Sequence, residues 1–91
     1  MIERAGDTLR VSGPITMTSA PAVRDRGLAL LGGDVAAIDL SAVTEVDSAA
    51  IAVLLAWRRR AGRTLKFVAV PAALASLAEL YRLDRLLDQS A

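Results

Sequence analysis

The run from Ile38 to Leu55 constrains the fold of this chain more than any other segment. It begins with the apolar residues of a buried strand, continues through a short polar stretch, and ends in an apolar helix opened by Asp47 and Ser48. An Asp-Ser pair at such a point places oxygen atoms beside the unpaired backbone N–H groups of the first helical turn. The helix dipole favours negative charge at the same end. The sequence therefore predicts a strand-loop-helix unit that is prepared for a phosphate on Ser48 or for an acidic group of a partner.

The length and composition indicate one small domain. The chain has 91 residues, which is enough for a single hydrophobic core, and we expect one domain over residues 1–91. Its apolar fraction of 54% is high for a soluble domain, so part of this surface is expected to cover a partner interface. The net charge of +1 favours neither a nucleic-acid surface nor an acidic tail.

The residue types that are missing exclude several kinds of chemistry. The sequence contains no Cys and no His, which removes disulfides, thiolate catalysis and the commonest general base and metal ligand. The longest apolar run, Ala49 to Trp57, is far shorter than the ~20 residues of a membrane span, and the N-terminus lacks a signal-peptide pattern. We therefore expect a cytoplasmic protein that is not an enzyme and that needs no cofactor or metal.

Apolar periodicity and turn residues divide the chain into alternating strands and helices. The predicted strands are Ile2–Ala5 and Leu9–Ser12 around a hairpin turn at Gly6-Asp7, then Val35–Leu40 and Leu65–Val70, with Gly13-Pro14 ending the second. The three predicted helices start near Ala20-Pro21, at Ser48 and at Pro71, and Thr18 or Ser19 is the expected cap of the first. The first helix is expected to end at Gly32-Gly33 and the second at Gly62. A last apolar turn is predicted at Leu83, Leu86 and Leu87.

This order predicts an α/β fold in which βαβ crossovers build a small mixed four-stranded sheet with helices packed mainly on one face. Ile51, Leu54 and Leu55 are expected to give the second helix its core face. Asp47 and Ser48 follow the carboxyl end of a strand, where open α/β sheets place their sites.

The runs Ile38 to Ser41 and Val46 to Ile51 resemble the signature of STAS domains, the fold of bacterial anti-sigma factor antagonists. The element order agrees over nearly the whole chain. Within that family, the stretch from Leu77 to Leu83 and the apolar helix ending at Trp57 resemble MlaB-type small subunits of Mla phospholipid ABC transporters. Many members have Gly after the Asp-Ser pair, whereas this chain has Ala49-Ala50, and the helix from Ser48 to Gly62 is about a turn shorter than is usual.

The resemblance implies two alternative roles. An MlaB-type protein binds the cytoplasmic ATPase of the transporter, supports its assembly and activity, and is peripheral to the inner membrane through that partner. An anti-sigma factor antagonist binds a kinase-type anti-sigma factor and is released when the serine at the position of Ser48 is phosphorylated. The residues that the resemblance assigns to the partner contact are Asp47, Ser48, Ala49, Ala52 and Trp57.

Three features have simpler interpretations beside the functional ones. Ser48 or Asp47 can act as a helix cap, and Asp47 is the better candidate because its carboxylate also suits the positive helix end. Asp39, Glu45 and Asp47 are the candidates for paired carboxylates or a Mg²⁺ site, but a structural or solubility role is favoured. Trp57 is either a core residue or an interface anchor.

The one basic cluster consists of Arg58, Arg59, Arg60 and Arg63 at the end of the second helix. Cations suit a helix C-terminus, so a solvated face is the favoured interpretation, with a partner contact second. Nucleic-acid binding is the least favoured, because the chain offers few aromatic side chains for base stacking.

Overall fold

A mixed sheet covered by helices organises the chain. The computed structural model describes residues 1–32, 34–61 and 65–83, and within them the chain forms four strands and three helices. The strands are β1 (Ile2–Ala5), β2 (Thr8–Ile15), β3 (Ala37–Val46) and β4 (Lys66–Val68), and the helices are α1 (Ala20–Leu30), α2 (Ser48–Ala61) and α3 (Ala72–Leu80). The strand order is β1-β2-β3-β4, with β1 antiparallel to β2 and the other pairs parallel. The predicted α/β architecture is confirmed.

The hairpin between β1 and β2 is present as predicted, with Gly6 at a φ of 63° in the turn. The prediction that Gly13-Pro14 ends the second strand is wrong, because β2 continues to Ile15. Gly13 takes a φ of 86°, and the register with β3 shifts between Gly13 and Pro14. The strand therefore absorbs these two residues as an irregularity rather than stopping at them.

The third strand is longer than the sequence predicts. Instead of ending near Leu40, β3 runs from Ala37 to Val46 and includes the polar stretch expected to be a loop. Its second half pairs with the second half of β2, and Ile15 lies opposite Val46. That ladder satisfies the backbone groups on the β2 side of this half, so exposed polar residues such as Thr44 and Glu45 are tolerated there.

Alternate residues of the strands are buried under the helices. Leu9, Ile38 and Phe67 lie side by side across β2, β3 and β4, and all three side chains are fully buried. Helix α2 adds Leu54 and Trp57 to this core, whereas Leu55 is only half-buried. The expectation that Leu55 is a core residue equal to Leu54 therefore needs correction.

The ends of the elements follow the predictions in part. Ser19 occupies the N-cap position of α1 but makes no capping bond; its hydroxyl donates to the Pro14 carbonyl oxygen over 2.9 Å and accepts from the Thr16 N–H over 3.0 Å. The strand predicted over 65–70 spans only Lys66–Val68, and Pro71 stands at the N-cap of α3 as expected. The predicted features at Gly33, Gly62, Leu86 and Leu87 lie outside the described residues.

Candidate functional site

Asp47 joins the end of β3 to the start of α2. One carboxylate oxygen, Oδ1, accepts a hydrogen bond from the Ala49 backbone N–H over 2.8 Å. The Asp47 carbonyl oxygen accepts from the Ala50 N–H over 3.0 Å, which begins the helical pattern. Asp47 is therefore the N-cap of α2, as its residue type favours.

The second carboxylate oxygen of Asp47 holds a different part of the chain. Oδ2 accepts a hydrogen bond from the Met17 backbone N–H over 2.9 Å. Met17 lies in the loop between β2 and α1, and its side chain is 76% exposed. A single carboxylate thus fixes the first turn of α2 beside the loop that precedes α1.

Ser48 is the first residue of α2, and its side chain is exposed. Since Asp47 already caps the helix, the Ser48 hydroxyl is not required for that purpose. Ala52 lies one turn further along the same exposed face. The first two turns of α2 thus present small, uncharged side chains to the solvent.

A groove of about 300 Å³ separates the exposed sides of α1 and α2. The residues that line this α1–α2 groove are Met17, Ala20, Pro21, Arg24, Ala49, Ala52, Val53 and Ala56. It brings together two of the predicted site residues, Ala49 and Ala52. Met17, Pro21 and Arg24 were missed by the sequence analysis; the one available signal was a large apolar Met between the last buried residue of β2 and the start of a helix.

Trp57 belongs to the core rather than to this surface. Its side chain is fully buried, and the indole N–H donates to the Arg24 carbonyl oxygen over 3.1 Å. The ring packs directly against Gly27 of α1. The expected partner contact at Trp57 is therefore corrected: a partner would have to open the α1–α2 packing to reach the ring.

The candidate carboxylates Asp39, Glu45 and Asp47 are not gathered into one metal-binding group. No group of three or more metal-binding side chains occurs among the described residues. Asp39 Oδ1 accepts a hydrogen bond from the Ser41 backbone N–H over 2.8 Å, and this bond, with a second contribution from the Ser41 hydroxyl, lowers the pKa of the Asp39 carboxyl below its ordinary value. The structural role favoured for Asp39 agrees with this local bond.

The described part of the basic cluster lies in the last turn of α2, as expected. Arg59 and Arg60 are exposed, Arg58 is half-buried, and Arg63 is outside the described residues. Cations at this end complement the negative end of the helix dipole.

Asp47→Ala is expected to lower the free energy of unfolding by about 1–2 kcal/mol, because it removes the α2 cap and leaves the Met17 N–H without its acceptor. Urea denaturation of the variant and of wild type measures this difference. Asp25→Ala is the matched control, since Asp25 is an exposed acidic residue whose ion pair with Arg24 lies at the surface. Equal unfolding midpoints for wild type and Asp47→Ala would contradict the double role of this carboxylate.

Comparison with known proteins identifies the family. A family model described as Mlab, STAS domain, matches residues 1–88. The chain belongs to the STAS domain family. No curated protein matches this STAS domain. The structure of the anti-sigma factor antagonist SpoIIAA in its unphosphorylated form is similar over 100% of this chain and 87% of the SpoIIAA chain, with a TM-score of 0.67 and 13% sequence identity. At this identity the likeness concerns the fold.

STAS domains act as protein–protein interaction modules, so the exposed surfaces of this one are the places to look for its function. Over the part of the chain that the structure describes, no helix has both the length and the apolar character needed to cross a bilayer.

Proposed function

We propose that this STAS domain is a non-catalytic accessory subunit that binds the cytoplasmic ATPase of an Mla-type phospholipid ABC transporter and supports its assembly and activity. The match of the MlaB-type family model over residues 1–88 supports this choice among STAS functions. In this role the protein is cytoplasmic and is peripheral to the inner membrane through its partner.

The observation that carries the proposal is a set of uncharged, mostly exposed residues around the start of α2, next to the α1–α2 groove. We call it the docking face and define it as Met17, Pro21, Ser48, Ala49 and Ala52. Among the described residues, Met17 is one of the few large apolar side chains that are mostly exposed, and a flexible thioether adapts well to a partner's surface. The small residues beside it allow the partner's backbone to approach closely.

The position of Met17 is fixed rather than free. Its backbone N–H is held by Asp47, and Asp47 in turn caps the helix that carries Ser48. The loop and the helix therefore present their residues as one preorganised surface, which lowers the entropy cost of binding. Asp47 contributes to the site by positioning these neighbours.

A second candidate function is that of an anti-sigma factor antagonist regulated by phosphorylation of Ser48. The exposed Ser48 side chain at a helix N-terminus favours this alternative, because a kinase can reach it and the helix end suits a phosphate. The partner would then be an anti-sigma kinase instead of a transporter ATPase.

Ser48→Asp is expected to weaken binding of the ATPase subunit at least tenfold while the domain stays folded. Asp is stable in the first turn of a helix, so the thermal midpoint should remain close to that of wild type. A partner seated over Ser48 would instead bury an unpaired charge, which is unfavourable. Titration calorimetry with the transporter ATPase subunit from the same organism measures the affinity.

Ser76→Asp is the matched control, because Ser76 is an exposed helical serine on α3. It should bind the ATPase like wild type. Full ATPase affinity in Ser48→Asp would remove the first turn of α2 from the interface. Failure of wild type to bind the ATPase, with tight binding to an anti-sigma kinase, would favour the alternative function.

A further inference from the structure

The polar border of the α1–α2 groove is cationic. Arg24 lines the groove from the α1 side. On α2, Arg60 is exposed and lies one helical turn beyond Ala56, which also lines the groove. The groove is therefore apolar near Met17, whereas toward its other end Arg24 lines it and Arg60 follows one turn after its last lining residue on α2.

The floor of the groove is formed mainly by alanine side chains, with the buried Val53 among them. Ala20 lies on α1, and Ala49, Ala52 and Ala56 follow one another along α2. From Ala49 to Arg60 the helix rises by roughly 16 Å, which matches about three turns of a second helix. Small residues between two helices leave room for a third helix to pack against both.

Asp25, the acidic residue next to Arg24 in the sequence, does little to neutralise the charge of Arg24. Arg24 Nε lies 3.1 Å from Asp25 Oδ1, and the two side chains are 46% and 69% exposed. Surface ion pairs of this kind contribute little to stability, so Arg24 loses little when it exchanges Asp25 for another carboxylate. Arg24 can therefore turn toward a carboxylate that is brought by another molecule.

We propose that the α1–α2 groove receives an amphipathic helix of the partner, whose apolar side chains meet Met17 and the alanine floor and whose Asp or Glu side chains meet Arg24 and Arg60. This inference rests on the proposed function for the identity of the partner, the transporter ATPase. It adds the chemistry of the bound segment. A helix with acidic residues at one end is complementary both to the shape of the groove and to the charge of its arginines.

A protein helix suits this groove better than a membrane surface does. Met17 is the only large, mostly exposed apolar side chain along its described length. Stable interfacial binding to a bilayer needs a broad apolar face together with its basic residues. The alanine floor forms a depression in the protein surface, whereas insertion into a bilayer needs a protruding apolar face.

The test is charge reversal on the folded protein, with the ATPase subunit as the probe. Arg24→Glu and Arg60→Glu should each weaken binding at least tenfold at low ionic strength, and the affinity of each variant should depend less on salt than that of wild type. Arg26→Glu is the matched control: Arg26 is also exposed on α1 but lines a different pocket, beside β1. It carries the same change of charge and should bind within about twofold of wild type.

A second arm identifies the acidic group. Hydrogen exchange locates the ATPase helix that becomes protected in the complex, and a Glu→Lys or Asp→Lys change in that helix should restore affinity to Arg24→Glu but not to Arg26→Glu. Restoration of this kind reports on a direct charge contact, which a merely structural role of Arg24 would not produce.

The outcomes separate the two proposals. If wild type does not bind the ATPase, the proposed function fails and this inference fails with it. If wild type binds, Ser48→Asp does not, and both arginine variants bind normally, only the acidic-helix inference is overturned. The acidic-helix inference would also be overturned if the arginine variants lost binding to phosphatidylglycerol vesicles but kept binding to the ATPase. A wild-type dimer that dissociates in the arginine variants would overturn it as well, because the groove would then bind a second copy of this chain.

Discussion

Gly27→Ala is expected to destabilise the protein by about 3 kcal/mol, although alanine is the better helix former. A Cβ atom at Gly27 would overlap Cε2, Cζ2 and Nε1 of Trp57, well inside ordinary van der Waals separation. The ring cannot move aside easily, because it is fully buried and its N–H is bound to the Arg24 carbonyl oxygen. Thermal denaturation should show a fall in midpoint of roughly 12–24 °C.

The matched control is the same change in a Trp57→Leu background. Removing the indole ring removes the overlap, so Gly27→Ala should then be close to neutral, or stabilising by up to about 1 kcal/mol through helix propensity. The Trp57→Leu protein must stay folded for this comparison, and its own unfolding curve shows whether it does. An equal loss from Gly27→Ala in both backgrounds would mean that the overlap with Trp57 is not the cause.

Leu54→Ala is expected to lower the free energy of unfolding by about 2–5 kcal/mol. The Leu54 side chain is fully buried on the core side of α2, so its truncation leaves a cavity that the surrounding core cannot fill completely. Leu55→Ala removes the same atoms from a half-buried position on the same helix, and it should lose less than half as much.

Urea denaturation of the two leucine variants, with fluorescence of the single Trp as the probe, measures both losses. Equal values for Leu54→Ala and Leu55→Ala would contradict the orientation of α2. Loss of secondary structure in Leu54→Ala without denaturant would agree with the upper end of the expected range, because a small domain has little stability to spare.

The sequence was sufficient to predict the elements whose signals are local. The hairpin needs only Gly6 and its neighbours, and the start of α2 needs only the Asp-Ser pair before an apolar run. The lengths of β2 and β3 could not be predicted in this way. Their outer halves form because they pair with each other, and pairing between distant segments has no local pattern.

The candidate site, too, could be predicted from the sequence only in part. Asp47 could be recognised as a cap from its position, but its bond to the Met17 N–H joins residues far apart in the sequence. Trp57 was left between core and interface because the residue that decides the matter, Gly27, lies on another helix. The groove and its arginines depend on how α1 packs beside α2, which only the three-dimensional structure contains.

The parallel pairing of β2 with β3 also constrains the order in which the molecule forms. Leu9 pairs with Ile38, and the chain between them must close a long loop through α1 before that contact stabilises anything. The β1–β2 hairpin, whose partners are joined by a short turn, can close thousands of times faster than a typical domain of mixed topology folds. The rate-limiting event in folding should therefore be the docking of β3 against a hairpin that already exists, and variants in the β2–β3 contact should slow refolding more than variants in the turn.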